Sequence, residues 1–384
     1  MRFVKGLIYP LRIPFVESFS HSTKSRNFSD SFIVRLTMED GTMGYGEGVA
    51  RPYVTGENVE SSLNYIQQTI WPSIAQSEFS AITPGPDPID SLSQVYRAIP
   101  DNVTDGVVAF HAARAAVEIA IVDGLLKRQQ MSLAQILPPK RTEVVYSGVI
   151  TAGSIAKAEQ HARHFKLFGI KQLKIKIGGA DSLARVEAVR QTIGPDASLR
   201  VDANGDYNLA SAIAMLADIA PFNIASVEQP IPRGDPMDLA SVRRNSTIPI
   251  MADESLVTLD DARALIAVNA CDYFNLRLSK CGGIVRTLEM ARLAADAGLR
   301  IQLGSQVGET AVLSAAGRHM AAYLDDISFV EGSYGSLLLT EDIGKDSINF
   351  GHGGRAGLLR GHGLGVRVVE DVLTKYAQAI IPLA

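Results

Sequence analysis

Lys176, Asp202, Glu228, Asp253 and Lys280 follow one another at intervals of 26, 26, 25 and 27 residues. Each closes a run that reads as a β-strand: LKIK, LRVD, ASVE, PIMAD and FNLRLSK. A barrel of alternating strands and helices spends about 250 residues on eight units, close to this period. The spacing therefore sets five ionisable side chains on one rim. Three carboxylates brought together repel unless a hard divalent cation neutralises them. Mg2+, which prefers oxygen ligands, suits Asp202, Glu228 and Asp253, with Mn2+ as the alternative. One such acid alone would be explained by capping the next helix or pairing with a lysine; three in register point to a metal.

Lys176 and Lys280 fall on the units just before and just after the acidic trio, across the barrel mouth from each other. A lysine is a base near neutral pH only when burial or neighbouring positive charge lowers its pKa. Lys174 lies two residues before Lys176 and points the same way, because strand side chains alternate. Lys174 and the metal are expected to supply that charge. The chemistry implied is removal of a proton beside a carboxylate, with the dianion stabilised where its charge develops. A Schiff-base aldolase also uses a barrel lysine but needs no acidic trio, and borohydride trapping or chelation separates the two. A non-catalytic barrel has no need of five charges at one rim, where desolvation is costly.

The elements that must hold these groups are legible in the hydrophobic pattern. From about residue 142, strand, loop and helix alternate through eight strands. EVVYSGVI, LKIKIG, LRVDAN, IASVEQP, IPIMADES, YFNLRLSK, LRIQLG and ISFVEG are the predicted strands, apolar as a covered parallel sheet requires. Helices are predicted near 154–167, 181–193, 208–219, 236–244, 258–268, 282–298 and 310–323. Before the barrel, residues 2–16, 30–38 and MGYGEG read as strands, with a Glu39-Asp40-Gly41 turn between the last two. Helices near 57–75 and 107–129 follow, separated by the breaker TPGPDP. The predicted fold class is α/β: a TIM-like (β/α)7-8 barrel over 136–365, with an N-terminal α+β capping domain over 1–135. A C-terminal segment, 366–384, returns to the cap and carries a last helix, VVEDVLTKYAQAII.

The chain has 384 residues, 46% hydrophobic and 20% charged, as a two-domain globular enzyme would. A net charge of −4 without a basic run argues against a nucleic-acid partner. No apolar run reaches the length of a membrane span, and the N-terminus lacks a signal-peptide core. Two cysteines, Cys271 and Cys281, make no disulfide framework, so a cytoplasmic location is expected. They flank the sixth strand, one expected in the core and the other near the rim.

KIKIG, VDAN, VEQP, ADES and LSKCGG, in this order and at these spacings, resemble the enolase superfamily in its muconate-lactonising subgroup, relatives of mandelate racemase. The resemblance covers nearly the whole chain. It implies Asp202, Glu228 and Asp253 as Mg2+ ligands, Lys176 and Lys280 as the acid/base pair, and Lys174, Asn204 and Glu254 as support. Glu254 stands where the family has an acid that interacts with the sixth-strand lysine, and Gln229, like Asn204, follows a ligand. A small-molecule carboxylate substrate and a homo-oligomer, dimer or octamer, are implied too.

The subgroup contains dipeptide epimerases, N-acylamino acid racemases, o-succinylbenzoate synthases and muconate cycloisomerases. Substrate choice in it lies in two cap loops, here 18–30 and 50–57, and at the ends of strands seven and eight. Arg26, Arg51, Tyr53, Glu309 and Glu331, with Lys24, are therefore candidates for substrate contact. VTGE is similar to the epimerase and racemase branches. The D-x-D motif that dipeptide epimerases carry on strand eight is replaced by Glu331-Gly332-Ser333, and SLLLTEDI resembles the cycloisomerases. Two lysines on opposite faces let a proton leave on one side and return on the other. Racemisation or epimerisation of a dipeptide or N-acyl amino acid is the leading expectation. Muconate-type cycloisomerisation, or o-succinylbenzoate-synthase-type syn-dehydration (a lyase reaction), stays open beside it, with one catalytic lysine.

Overall fold

The computed structural model describes residues 1–20, 25–101, 107–151 and 153–383. Five strands open the chain: β1 (Phe3–Pro10), β2 (Ile13–Ser20), β3 (Ser25–Ser29), β4 (Phe32–Met38) and β5 (Met43–Gly48). β1, β4 and β5 form an antiparallel sheet, while β2 and β3 make a separate hairpin. The single strand predicted over 2–16 is two strands, because Pro10 cannot donate to a ladder and ends the first. Helices α1 (Pro52–Thr55), α2 (Val59–Tyr65), α3 (Trp71–Gln76), α4 (Pro88–Ala98) and α5 (His111–Arg128) complete this part. α4 is absent from the sequence reading, although its start was visible in TPGPDP. Asp87 caps it by accepting from the Ile89 amide at 2.9 Å, and Pro88 occupies the first turn. α5 is buried from His111 to Leu126 and lies directly on β5. The glycines of MGYGEG permit that: a Cβ on Gly44 or Gly46 would come within 2.0 Å of the Ala120 oxygen or 1.9 Å of the Ala116 oxygen.

The barrel begins late. EVVYSGVI is split into β6 (Glu143–Val145), which pairs with a return strand, and β7 (Gly148–Ile150), the first barrel strand. The others are β8 (Gln172–Lys176), β9 (Ser198–Asp202), β10 (Ile224–Glu228), β11 (Ile250–Ala252), β12 (Tyr273–Leu276), β13 (Arg300–Leu303) and β14 (Ile327–Val330). All neighbours pair parallel in chain order. The Ser147 amide donates to Val330 O at 2.8 Å, joining first strand to last. The outer helices are α6 (Ile155–Leu167), α7 (Ser182–Ile193), α8 (Leu209–Ile219), α9 (Pro236–Arg244), α10 (Leu259–Ala267), the one-turn α11 (Leu278–Cys281), α12 (Ile284–Asp296) and α13 (Ala311–Tyr323). Leu173, Ile175, Leu199, Val201, Val227, Ile250 and Phe274 are fully buried strand residues of the core.

Two expectations are corrected here. YFNLRLSK is not strand to its end: β12 stops at Leu276, and Lys280 lies in α11. That turn is closed by Gly282 in the left-handed region at φ 91°. The predicted last helix is also shorter. α14 (Glu370–Tyr376) gives way to β16 (Ile381–Leu383), which pairs antiparallel with β1. The helix ends at an extended Ala377, and Pro382 further on cannot continue one. Ahead of α14, the Gly/His-rich return is irregular apart from one tight turn at His352–Gly354 and β15 (Arg355–Gly357), the partner of β6. Cys271 and Cys281 are both buried. Among the described residues no helix is long and apolar enough to cross a membrane.

Buried glutamates sit at helix N-termini, where amide groups lack partners and the dipole favours an anion; two of them, Glu47 and Glu118, join cap to barrel, and Glu57 acts within the cap. Glu47 of β5 accepts from the Thr310 and Leu313 amides at 2.9 and 3.0 Å, at the start of α13. Glu118 of α5 accepts from the Val285 amide at 3.0 Å, at the start of α12. Glu57 accepts from the Ala112 amide at 2.7 Å, at the start of α5. Burial pushes all three up to about 7 against these hydrogen bonds. A raised acid holds its proton in the native state after the unfolded chain has lost it, so stability falls as pH rises through that window. Buried His111 and His319, depressed to about 3 and about 4, act oppositely, but only below the ordinary histidine range. Chemical denaturation is therefore expected to give stability that falls as pH rises to about 7, most clearly above the ordinary histidine range where His111 and His319 no longer oppose it, and that levels off beyond. Glu118→Gln should flatten that fall, since it keeps the Val285 bond and carries no proton to lose; an unchanged slope contradicts the assignment.

Candidate active site

Strand register brings the ladder together. Lys176 sits opposite Asp202, and Asp202 opposite Glu228, in adjacent parallel strands. Asp253 follows β11 directly, and Lys280 follows β12 by four residues. The two lysines stand four strands apart in a ring of eight, with the three acids on the strands between. Lys176 Nζ donates to Asp202 Oδ2 at 2.8 Å and Asn204 Oδ1 at 2.7 Å. Lys280 Nζ donates to Asp253 Oδ1 and O at 2.8 Å and to Asn275 O at 2.7 Å. An open cleft lies above, lined by Lys174, Lys176, Asn204, Arg277, Glu309 and Glu331 among others. Lys280 is 1% exposed and does not line it.

Glu228 is the hub of this charge array. Its carboxylate accepts from Lys174 at 3.1 and 3.3 Å, Asn275 at 2.9 Å, Arg277 at 3.1 Å and Gln302 at 3.0 Å. These donors come from β8, β12 with its end, and β13, none of them a neighbour of β10, so they converge inside the barrel. Burial, then the Asp202 charge, still raises Glu228 above the usual range. Burial pushes Asp202 up as well, but Lys176 and Lys174 outweigh it and hold the acid low. Asp253 is likewise held low, by Arg277 and Lys280 against burial. Burial disfavours the Lys174 ammonium, yet Glu228, Glu331 and Asp202 together keep it above the ordinary lysine range. Lys174 is thus a fixed cation.

These contacts show what several of the expected site residues touch. Glu254 does not bond Lys280. Its Oε1 accepts from Asn204 Nδ2 at 3.3 Å, and burial followed by the Asp253 and Asp202 charges pushes it up to about 8. Lys280 is taken by Asp253, which the α11 turn brings closer. Glu331 already faces two cations: Lys174 holds one oxygen at 2.8 Å and Arg200 the other at 3.0 Å. Arg51 is 2% exposed and ties cap to barrel, donating to Asp30 at 2.8 Å and to Val307 O at 2.7 Å. Arg26 is partly buried and also spends its charge on Asp30. Tyr53 and Glu309 do line the cleft. Glu309 accepts from the Gln306 amide at 2.5 Å, and burial pushes it up to about 8. Lys24 lies outside the described residues.

Arg51→Ala is accordingly expected to cost about 2 kcal/mol in urea denaturation, since Val307 O and Asp30 lose their donor. A raised KM with unchanged stability would instead make Arg51 a substrate contact.

Further groups complete the site, of which Arg200 had no place in the sequence reading. Arg277 Nη2 bridges Glu228 and Asp253. Arg200 joins Gln302 to Glu331 beneath them. Their signal was a polar residue at the inward parity of otherwise apolar strands. Gln229, held at φ 39°, accepts through Oε1 from the Asp253 and Ser255 amides, each at 3.0 Å. It fixes the loop that carries Asp253. Three buried carboxylates on consecutive strands form an oxygen-only donor set, which fits a hard divalent cation. Among the described residues, no three acidic, histidine or cysteine side chains stand in ready-made ligating geometry; lysines and Arg277 hold the carboxylates instead.

Fold and site together define a class: an α/β-barrel enzyme with lysines on either side of three strand-end carboxylates. Residues 156–372 match the family described as enolase C-terminal domain-like. Residues 9–138 match the mandelate racemase/muconate lactonizing enzyme N-terminal domain. An N-succinyl-L-Arg/Lys racemase of Bacillus cereus is 31% identical over 370 residues, 95% of each chain. A crystal structure of such a racemase from that organism is similar over the full length of both chains, with TM-score 0.89 and 29% identity. A hydrophobic dipeptide epimerase of Enterococcus faecalis is 31% identical over 320 residues, 83% of this chain and 86% of that one. The crystal structure of 2-chloromuconate cycloisomerase from Rhodococcus opacus 1CP has TM-score 0.87 at 26% identity, over 99% and 100% of the two chains. The chain belongs to the enolase superfamily, in its muconate-lactonising subgroup, and is an isomerase.

Proposed function

We propose that this isomerase racemises or epimerises an amino-acid derivative by removing the proton alpha to its carboxylate. The observation that carries the reading is the placement of Lys176 and Lys280 half a barrel apart, with the acidic trio on the arc between them. Lys176, oriented by Asn204, takes the proton from one face, and Lys280 returns one to the other. A Mg2+ or Mn2+ ion held by Asp202, Glu228 and Asp253 would stabilise charge developing on the substrate carboxylate. Lys174 and Arg277 keep that trio paired and ordered, while Gln229 holds the Asp253 backbone in place. Pairing of Glu331 with Lys174 and Arg200 supports an N-acyl amino acid over a dipeptide, because its negative charge is already balanced by two cations and attracts a substrate ammonium less.

One observation favours cycloisomerisation as a second reading: Lys176 lines the cleft and Lys280 does not, as one-base chemistry would need. Proton NMR in D2O separates the two. With Mg2+, the α-proton signal of N-succinyl amino acids is expected to disappear, to persist with EDTA, and to disappear again when Mg2+ is restored. Persistence of that signal across N-acyl amino acids and dipeptides contradicts the proposal.

A further inference from the structure

Lys280 sits in a one-turn helix whose position owes as much to the cap as to the barrel. Ser279 Oγ accepts from the Val49 amide at 2.9 Å and lies 3.1 Å from Val49 O, a residue just after β5. His111 Nδ1 lies 2.6 Å from the Lys280 carbonyl oxygen. Glu118 binds the start of α12 immediately beyond the turn. The two glycines of LSKCGG serve these contacts. A Cβ on Gly283 would come 1.7 Å from Glu118 Oε2, and one on Gly282 would come 3.0 Å from His111 Cδ2. Their φ angles of 113° and 91° also suit glycine.

The His111 tautomer follows from its other neighbour. Nε2 lies 2.7 Å from Arg286 Nη1, and a guanidinium can only donate, so Nε2 accepts and Nδ1 carries the proton. Arg286 is itself anchored by Asp101. Burial first, then the Arg286 charge, pushes the imidazole down to about 3 and keeps it neutral. His111 is the first residue of α5, whose N-terminus Glu57 fixes with support from Thr55 at 3.1 Å and Ser62 at 2.9 Å. Glu57 closes VTGE, so that motif acts behind Lys280 rather than in the cleft.

We propose that His111 is a positioning residue for Lys280, its Nδ1–H holding the Lys280 carbonyl so that the α11 turn aims the ammonium. This rests on the two-base reading above. The partners of Lys176, Asp202 and Asn204, both belong to the barrel, so loss of the His111 bond acts on one base alone.

Two substitutions separate the two ring nitrogens. His111→Asn keeps a donor near the Nδ1 position and loses the acceptor for Arg286; His111→Gln keeps the acceptor and loses the donor to Lys280. Exchange of N-succinyl-L-arginine and N-succinyl-D-arginine is followed by NMR in D2O with Mg2+, with Lys280→Ala identifying the enantiomer that Lys280 serves. His111→Gln should slow that enantiomer about tenfold or more and leave the other within about twofold, while His111→Asn retains both. Should His111→Gln fail to fold, Arg286→Gln, which frees the tautomer, should give a smaller loss on the same side. Equal slowing of both enantiomers, no slowing, or an equal loss in His111→Asn overturns the proposal. Absence of exchange in the unaltered enzyme sinks the two-base reading and this proposal with it, and shows before any substitution is made.

Discussion

Lys176→Ala is expected to abolish α-proton exchange from one enantiomer of an N-acyl amino acid and to spare the other. Lys280→Ala should do the reverse, and each should slow racemisation by about 10^2- to 10^4-fold, the usual contribution of a positioned acid or base. The asymmetry follows from geometry. The lysines stand four positions apart around an eight-stranded ring, so each can reach only one face of a carbon held between them. A lysine that merely supplied positive charge would, when removed, slow exchange from both enantiomers alike. Parallel NMR time courses on the two enantiomers distinguish these outcomes. Loss of both in Lys176→Ala with none lost in Lys280→Ala would favour one-base cycloisomerase chemistry.

Glu228→Gln is expected to have the larger consequence, because it strikes function and stability together. Glu228 takes hydrogen bonds from Lys174, Asn275, Arg277 and Gln302. Neutralising it leaves two buried cations short of a counter-charge, a loss on the order of 3–5 kcal/mol for a broken buried pair. It also removes the middle carboxylate of the proposed metal site, and kcat should drop by at least about 10^3-fold. Urea denaturation and calorimetric Mg2+ titration read the two effects separately. Undiminished Mg2+ affinity would show that the metal is held elsewhere. Retained stability would show that Lys174 and Arg277 find other partners.

The strand-helix repeat was legible because a covered parallel sheet must be apolar, which left acids at strand ends conspicuous. The same rule misled at Lys280. Leu276 and Leu278 continue an apolar alternation through FNLRLSK, and only Gly282-Gly283 hinted that the chain had already turned. Arg51 read as a loop cation because its distant acceptor, the Val307 carbonyl, is 256 positions away in sequence. Glu331 read as a rim acid for the same reason: its partners Lys174 and Arg200 sit on other strands. Arg200, Asn275 and Gln302 left a trace, being polar at inward positions, yet nothing local says which of them meet. Long-range charge pairing inside a barrel is decided by the closure of the ring, and periodicity along the chain carries little of it.

The central claim is that a proton leaves on one side of the substrate and returns from the other. The α-deuterium content of newly formed product in D2O, at low conversion of N-succinyl-L-arginine with Mg2+, tests it most directly. A second lysine equilibrated with solvent predicts product deuterated at the α-carbon from the first turnovers. Product that keeps the original protium would mean that one group both removed and returned it, and would contradict the account.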